Sequence, residues 1–274
     1  MILAVDAGGT YLRGELYSGD VLQKEFKGET AHTGLSEWIE LILENQKNIK
    51  TVCVSFAGQV KDGVILSSPN IAEDRRDIKK YFESKFSVEF FIQNDLNCAV
   101  LAEAEYFKSD NICAVYVGTG LGLGVVSSST LITGADGIAT ELGHIPYRES
   151  PFVCGCGKKN CMELFTSGTA LKHWKHYYDL DENLTLQELK KMDHIIYTEF
   201  EKALLVAAST IVTLFNPEIL VFGGGIIQSN SYLVEMIKNN IGRFAMPLSL
   251  KNLKIMQTEL KNAPIKGAVL QQMI

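Results

Sequence analysis

The segment after residue 140 concentrates residues that bind metal ions. His144 is followed by Cys154, Cys156 and Cys161, at offsets of ten, two and five residues. Three thiolates and one imidazole complete a tetrahedral zinc site, and a site with no open position is of the structural kind. The glycines on either side of Cys156 would let the chain turn tightly around an ion. Free thiols or a redox pair are the alternatives for these cysteines.

Two acidic residues flank this cluster, Glu141 before His144 and Glu163 after Cys161. Carboxylates accept hydrogen bonds from neighbouring hydroxyl groups, so the pair is suited to holding a polyol. The alternative is that both are surface charges, which is the usual position of glutamate. Their proximity to the metal-binding pattern favours the ligand-binding interpretation.

A third candidate is the dipeptide Asn94-Asp95, which follows an apolar strand pattern at 88–92 and begins a helix pattern that ends at Phe107. Either residue could cap the helix. Asp95 could also act as a general base, because the helix dipole keeps a carboxylate at this position ionised and able to accept a hydroxyl proton. Two polar residues where one cap suffices favour a functional role.

Two glycine-rich turns follow apolar strands, one in each half of the chain. Glycine lets backbone amides approach phosphate oxygens closely, and an aspartate at the strand end could hold Mg²⁺ through water. Tight hairpins that need glycine for a positive φ are the alternative. A β-rich segment follows the second turn, so it is not a Rossmann motif, which opens a helix. The candidate phosphate and magnesium ligands are Asp6, Gly8, Gly9, Thr10, Gly118, Thr119 and Gly120.

A third glycine run, Gly223, Gly224 and Gly225, follows the apolar strand pattern at 219–222. Three successive glycines allow a flat group such as adenine or ribose to approach the backbone. A tight turn from strand to helix is the simpler interpretation of this run when it is taken alone.

The elements that position these residues recur twice. Strand patterns at 2–6, 11–17 and up to about 27 are repeated at 111–117, 121–127 and from 131. In each half a further strand, 51–56 or 219–222, ends in glycine. Helix patterns cover 35–47, 74–85, 197–215 and 230–244, a strand pattern covers 253–257, and a short helix begins at Ile265. The order predicts an α/β fold of two related lobes, residues 1–109 and 110–263, with a cleft between them and the last helix, 264–274, packed on the first lobe.

Composition limits the functional classes. The chain has 274 residues, 46% of them hydrophobic, and a net charge of −6. No dense run of Lys and Arg is present, so nucleic acid is not an expected partner. The N-terminus lacks the pattern of a signal peptide and no apolar run reaches membrane-spanning length, so we expect a cytoplasmic protein with no membrane partner. The dispersed cysteines Cys53, Cys98 and Cys113 lie in apolar patterns and are expected to be buried.

These features, in this order and over nearly the whole chain, resemble the ROK family of bacterial sugar kinases and sugar-sensing repressors. The segments 6–10 and 118–124 resemble its two phosphate motifs, and Val221–Gly225 its adenosine motif. Asn94-Asp95 resembles its sugar-binding Asn and catalytic Asp, and the segment 141–144 its Glu-x-Gly-His element. Residues 154–163 resemble its zinc knuckle and the Glu that follows. Two departures are Ala57-Gly58 in place of Pro-Gly and Thr140 in place of Gly before Glu141.

The resemblance implies a two-lobed actin-like ATPase fold and transfer of phosphate from MgATP to a hexose, usually at the 6-hydroxyl. Asp95 would take the hydroxyl proton, and zinc would have a structural role. The residues that would contact the sugar are Asn70, Asn94, Asp95, Glu141, His144 and Glu163. Glucose is the default substrate, with fructose and the N-acetylhexosamines as alternatives, and a homodimer is expected.

Three other functions fit parts of the pattern. A sugar-responsive repressor would carry an N-terminal helix-turn-helix segment, for which we expect no room before the first strand at residue 2. A kinase of the same broad fold that acts on acetate or pantothenate would not need the Cys and His set. A catalytically silent sugar-binding protein would not need Asp95.

Overall fold

The structure is a computed structural model that describes residues 1–68, 71, 73 and 75–273. Contacts divide the chain into two compact units. The first comprises Met1–Lys108, Thr130–Ala139 and Leu260–Ile274, and the second comprises Ser109–Ser129 and Thr140–Glu259. The first unit thus includes residues 130–139, which the sequence analysis assigned to the second lobe.

The first unit contains a mixed sheet and a small hairpin. Its first seven strands are β1 (Ile2–Ala7), β2 (Tyr11–Ser18), β3 (Val21–Glu29), β4 (Thr51–Phe56), β5 (Gln59–Lys61), β6 (Val64–Ser67) and β7 (Glu89–Asn94). The sheet has the order β3-β2-β1-β4-β7, and β5 and β6 form the hairpin. β1 is antiparallel to β2 and parallel to β4, which is parallel to β7. All six residues of β4 are buried, as expected for a central parallel strand.

Three helices of this unit are α1 (Leu35–Asn45), α2 (Ile78–Phe86) and α3 (Asp95–Phe107), of which α2 and α3 have side-chain N-caps. Helix α1 buries Trp38, Ile39 and Ile42 on one face. The rings of Phe82 and Phe90 stack with centroids 4.9 Å apart, which joins α2 to β7.

The remaining strands are β8 (Ile112–Val117), β9 (Leu121–Ser127), β10 (Thr130–Leu131), β11 (Ile219–Gly223) and β12 (Lys254–Gln257). All except β10 lie in the second unit. There the order β9-β8-β11-β12 repeats the order β2-β1-β4-β7, with the same antiparallel pair followed by two parallel pairs. The expected α/β class and the duplication of the strand pattern are confirmed.

The second unit is rich in helices. They are α4 (Glu163–Thr166), α5 (Gly168–Tyr177), α6 (Leu186–Lys191), α7 (Ile195–Phe215), α8 (Gly225–Ser229), α9 (Tyr232–Asn240) and α10 (Pro247–Leu250). Short 3₁₀ helices cover Leu142–His144 and Ile241–Arg243. In the described part of the chain, none of the helices combines the length and apolar content needed to span a membrane.

The last helix, α11 (Ala263–Leu270), belongs to the first unit and contacts α3 and β1. The contact with α3 is close at Gly267, where an added Cβ would lie 1.6 Å from the carbonyl oxygen of Cys98. No side chain fits there, so glycine is required for this helix packing.

Several sequence predictions differ from the structure at element ends. The helix predicted at 74–85 begins at Ile78, because Asp77 caps it by accepting a hydrogen bond from the Lys80 amide at 3.3 Å. The helix predicted at 230–244 spans Tyr232–Asn240 and continues as a 3₁₀ turn. The hairpin β5–β6 and the helices α5 and α6 were not predicted from the sequence.

Candidate functional site

Asp95 is the first residue of α3, directly after the sheet strand β7. Asn94 is the N-cap, and its Oδ1 accepts from the amides of Leu96 at 2.9 Å and Asn97 at 3.2 Å. The Asn94 side-chain amide donates to the carbonyl of Gly58 at 3.1 Å and to Oδ1 of Asp95 at 3.1 Å. Asn94 therefore caps the helix, which is one of the two roles that its sequence position suggested. The same residue orients the Asp95 carboxylate.

The surroundings of the Asp95 carboxylate raise its pKa. Its Oδ1 also accepts from the Leu96 amide at 3.0 Å. Burial is the largest cause of a pKa raised to about 7, followed by the charge of Asp6, although the residue keeps part of its surface exposed. The expectation that the helix dipole keeps this carboxylate ionised is therefore wrong near neutral pH, because burial outweighs the favourable hydrogen bonds at the helix start. A carboxylate with this pKa suits a general base near neutral pH.

Asp6 lies near the end of β1 and shares the edge of the same sheet. Its Oδ1 accepts a hydrogen bond of 3.2 Å from Ser55, its register partner on β4. Burial raises the pKa of Asp6, and the Ser55 hydroxyl opposes that rise. Ser55 is fully buried, and the apolar run around it predicted only a strand, so its contact with Asp6 was not expected.

The first glycine turn leaves space around its backbone. Among the described residues with a positive φ, neither Gly8 nor Gly9 appears, so the positive-φ explanation of this turn is wrong. A Cβ on Gly8 would make only an ordinary contact, 3.4 Å from the Tyr11 carbonyl oxygen. Gly9 and Thr10 are exposed. The Gly8 amide donates to the Tyr11 carbonyl at 3.1 Å, so Gly9 and Thr10 are the exposed residues that an anion could reach.

The second glycine turn, Gly118-Thr119-Gly120, connects β8 to β9 and is called the 118–120 turn below. Neither of its glycines has a positive φ. A Cβ on Gly118 would meet no atom within 4 Å, whereas one on Gly120 would lie 2.5 Å from Oε2 of Glu163. A side chain at position 120 would collide with Glu163, which explains the glycine there. Nothing in the packing of the described residues requires glycine at position 118.

The third glycine run is partly structural. Gly224 has φ +89°, and a Cβ there would lie 2.5 Å from the carbonyl oxygen of Val117. A Cβ on Gly223 would lie 2.7 Å from the Tyr116 ring. These two glycines let β11 pass close to β8 before α8 begins. A Cβ on Gly225 meets nothing within 4 Å, so packing leaves this position open.

The predicted metal ligands come together. The ligand atoms of His144, Cys154, Cys156 and Cys161, here the Cys₃His cluster, all lie within 4.8 Å of one another. Nδ1 of His144 lies 3.5 Å from the Cys154 sulfur, and the sulfurs of Cys156 and Cys161 are 3.3 Å apart. Three sulfurs and one ring nitrogen this close together fit the tetrahedral coordination of a zinc ion.

Backbone hydrogen bonds shape the loop that carries this cluster. The Tyr147 amide donates to Asn160 at 2.7 Å, and the Ser150 amide donates to Lys159 at 2.8 Å. The Gly157 amide donates to the Cys154 carbonyl at 2.8 Å, and Gly157 has φ +86°. The loop is thus folded by its own backbone, and the glycine permits its tightest turn.

The two flanking carboxylates differ. Glu141 is exposed, and its Oε2 lies 3.8 Å from Nε2 of His144, the ring nitrogen that faces away from Cys154. Glu163 is partly buried and accepts a hydrogen bond of 2.9 Å from the Leu121 amide. The surface-charge alternative therefore does not describe Glu163. Asn70, the remaining predicted sugar ligand, lies outside the described residues.

Comparison with known proteins places this chain in a family. The ROK family model matches residues 2–271, so the chain belongs to the ROK family. The glucokinase of Thermotoga maritima is 26% identical over 97% of this chain and 95% of the relative. A xylose repressor of Caldicellulosiruptor bescii is 24% identical over 96% of this chain and 75% of the relative. The family thus includes proteins named as kinases and as repressors.

Solved structures share the fold. A ROK hexokinase from Thermus thermophilus aligns with a TM-score of 0.81 at 22% identity over 98% of this chain and 96% of that one. A ROK glucokinase from Streptomyces griseus, solved with glucose and AMPPNP, aligns with a TM-score of 0.77 at 21% identity over 98% of both chains. The chain has the actin-like ATPase fold of these sugar kinases, as the sequence predicted.

Proposed function

We propose that the protein is an ATP-dependent kinase that phosphorylates a hexose at its 6-hydroxyl, with glucose as the default substrate. The observation that carries the proposal is the Asp95 carboxylate, fixed through Oδ1 at the start of α3 and with a pKa raised to about 7. A residue that only capped the helix would not need this environment, since Asn94 already caps it. The similarity to named glucokinases supports the same reaction.

In the proposed reaction, Asp95 accepts the proton of the sugar hydroxyl while that oxygen bonds to the γ-phosphorus of ATP. The bond from phosphorus to the bridging oxygen breaks, and ADP leaves. Asp6 would hold Mg²⁺ through water, and Mg²⁺ would neutralise phosphate charge. The two glycine turns would hold the phosphates, and Gly225 with its neighbours would contact the adenosine. Catalysis then consists mostly of positioning and charge neutralisation.

The proposed sugar ligands are Asn94, Asp95, Glu141, His144 and Glu163, with Asn70 as an untested addition. His144 can serve two partners, because Nδ1 faces Cys154 and Nε2 faces Glu141. Zinc held by the Cys₃His cluster would have a structural role and would fix this ring. We also propose a homodimer in the cytoplasm, where ATP is made and thiols stay reduced.

A coupled assay of ADP release, run with MgATP over a panel of hexoses and N-acetylhexosamines, tests the function. We expect turnover with one sugar and its 6-phosphate as the product. N-acetylglucosamine, N-acetylmannosamine or fructose as that sugar would replace the default substrate. Folded, zinc-loaded protein that turns over no sugar would contradict the kinase proposal.

A sugar-responsive regulator is the second candidate function. The similarity to a xylose repressor over 96% of this chain favours it. Such a protein would bind sugar through Glu141 and His144 without needing Asp95 as a base. Sugar binding by calorimetry with no ADP release in the same preparation would support this candidate over the kinase.

A further inference from the structure

Glu163 is hydrogen-bonded to the strand that leaves the 118–120 turn. Its Oε2 accepts from the amide of Leu121, the residue directly after Gly120, at 2.9 Å. A Cβ on Gly120 would lie 2.5 Å from that same oxygen and would displace the carboxylate. Glycine at 120 therefore preserves the contact between Glu163 and the turn.

The other carboxylate oxygen of Glu163 faces the Cys₃His cluster. Oε1 lies 3.8 Å from the sulfur of Cys154. Glu163 also follows the ligand Cys161 by two residues, and the intervening Met162 is fully buried. The Met162 amide donates at 3.0 Å to the carbonyl of Ile145, the residue directly after the ligand His144. The backbone that presents Glu163 is therefore built on the same loop as the ligands.

Two further hydrogen bonds connect the 118–120 turn to the start of α5, a few residues after Glu163. The amide of Gly168 donates to the carbonyl of Gly118 at 2.7 Å, and the amide of Thr169 donates to that of Thr119 at 3.3 Å. The segment after Cys161 thus contacts the turn at Gly118 and Thr119 and also binds Leu121, the residue that follows the turn. The Glu163 contact is the one that also reaches a cluster cysteine.

We propose that Glu163 is a positioning residue that couples metal binding by the Cys₃His cluster to the conformation of the 118–120 turn. Metal binding would fix the loop that presents Glu163, and Glu163 would then hold the Leu121 amide and the turn before it. The consequence for nucleotide affinity rests on the proposed function, in which this turn holds phosphate. A carboxylate oxygen accepts more than one hydrogen bond, so the contact is compatible with a sugar-binding role.

Hydrogen–deuterium exchange of the peptide covering 117–124 tests the coupling without nucleotide or sugar. Glu163→Ala removes the contact and leaves the four cluster residues in place. Glu149→Ala is the matched control, since Glu149 is an exposed carboxylate on the same loop. Metal content of each preparation is measured first, and the comparison uses zinc-loaded proteins.

We expect exchange of this peptide to be about tenfold faster in Glu163→Ala than in the wild type, because a hydrogen bond to a charged acceptor is lost. Glu149→Ala should match the wild type. Equal exchange in the wild type and Glu163→Ala would overturn the proposal, and so would equal acceleration in both variants.

Chelation supplies the second arm of the test. Removing zinc from the wild type should accelerate exchange of the same peptide, and removing it from Glu163→Ala should add little. Equal acceleration by chelation in both proteins would overturn the coupling. Exchange of peptides from β8 and β11 reports whether the sheet stays folded after chelation. If these peptides lose protection, the comparison between zinc-loaded wild type and zinc-loaded Glu163→Ala alone tests the proposal.

Affinity for the ATP analogue AMPPNP, measured by calorimetry on the same samples, connects the coupling to function. We expect about tenfold weaker binding in zinc-loaded Glu163→Ala and no change in Glu149→Ala. A wild type that binds no nucleotide in either metal state would contradict the kinase proposal. The exchange result would still decide whether Glu163 couples the cluster to the turn.

Discussion

The negative charge of Asp6 raises the pKa of Asp95, and both residues lie at one edge of the first sheet. β1 ends at Ala7 and β7 ends at Asn94. Because β1, β4 and β7 run parallel, their carboxyl ends meet at the same edge. Burial and mutual repulsion make it costly for both carboxylates to be ionised without a cation.

Replacing Asp6 by Asn should lower the pKa of Asp95, because a neighbouring negative charge is removed. Burial, the larger cause, stays, so this pKa should remain above that of an ordinary aspartate. Carbon-13 NMR titration of the side-chain carboxyl groups measures it, and the spectrum of Asp95→Asn assigns the signal. An unchanged or higher pKa in Asp6→Asn would contradict the interaction.

Asp95→Asn should stabilise the protein at alkaline pH. A folded-state pKa of about 7, raised from 3.8, means that the ionised carboxylate destabilises the fold. The penalty is absent below about pH 4 and complete above about pH 7. We expect a gain of about 1 to 3 kcal/mol in the free energy of unfolding at pH 8, and almost none at pH 4. Urea titrations at both pH values measure it.

The control for that experiment is Asp20→Asn, which removes one negative charge from an exposed turn. It reports the general effect of a smaller net charge. A gain at pH 8 that is equally large in Asp20→Asn would show that burial of Asp95 is not its cause.

The Cys₃His cluster should hold one zinc ion per chain. Cys156→Ser removes a ligand from the exposed end of the cluster and should abolish stoichiometric zinc. Cys113→Ala is the control, because Cys113 is buried in β8 outside the cluster and its loss should leave zinc unchanged. Plasma mass spectrometry of protein purified without chelators measures the metal. A folded wild type with no zinc would refute the assignment.

Adjacent glycines of the third run should respond differently to alanine. Gly224→Ala should lower the free energy of unfolding by roughly 2 to 4 kcal/mol, since it combines φ +89° with a Cβ 2.5 Å from Val117. Gly225→Ala has open space and should change stability by less than about 1 kcal/mol. If the run contacts adenosine, Gly225→Ala should raise KM for ATP. Chemical denaturation and steady-state kinetics separate the two effects, and equal destabilisation would contradict the packing argument.

Much of this architecture could be predicted because it depends on local patterns. Apolar runs ending in glycine or aspartate predicted the ends of β1, β8 and β11, and cysteine spacing predicted the cluster that the structure assembles. The hairpin β5–β6 was missed because three- and four-residue strands have too little periodicity to detect. Helix α5 begins at Gly168, an unfavourable helix residue whose amide bonds to Gly118 instead.

The site residues that sequence could not supply are those defined by contacts between distant segments. Ser55 appeared only as part of a strand, and its bond to Asp6 depends on the pairing of β1 with β4. Glu163 was identified from its position beside the cysteine pattern, but its bond to the Leu121 amide depends on how α4 lies against the 118–120 turn. Sequence patterns identify candidate site residues, whereas their hydrogen-bond partners depend on the tertiary structure.

The role of Asp95 as the base is tested most directly by ADP release from the wild type and from Asp95→Asn, assayed side by side with MgATP and the best sugar of the panel. We expect turnover in the wild type, with kcat/KM rising through about pH 7 as Asp95 ionises. We expect Asp95→Asn to bind the sugar but to lose turnover by several orders of magnitude. Near-normal turnover in Asp95→Asn would show that Asp95 is not the base.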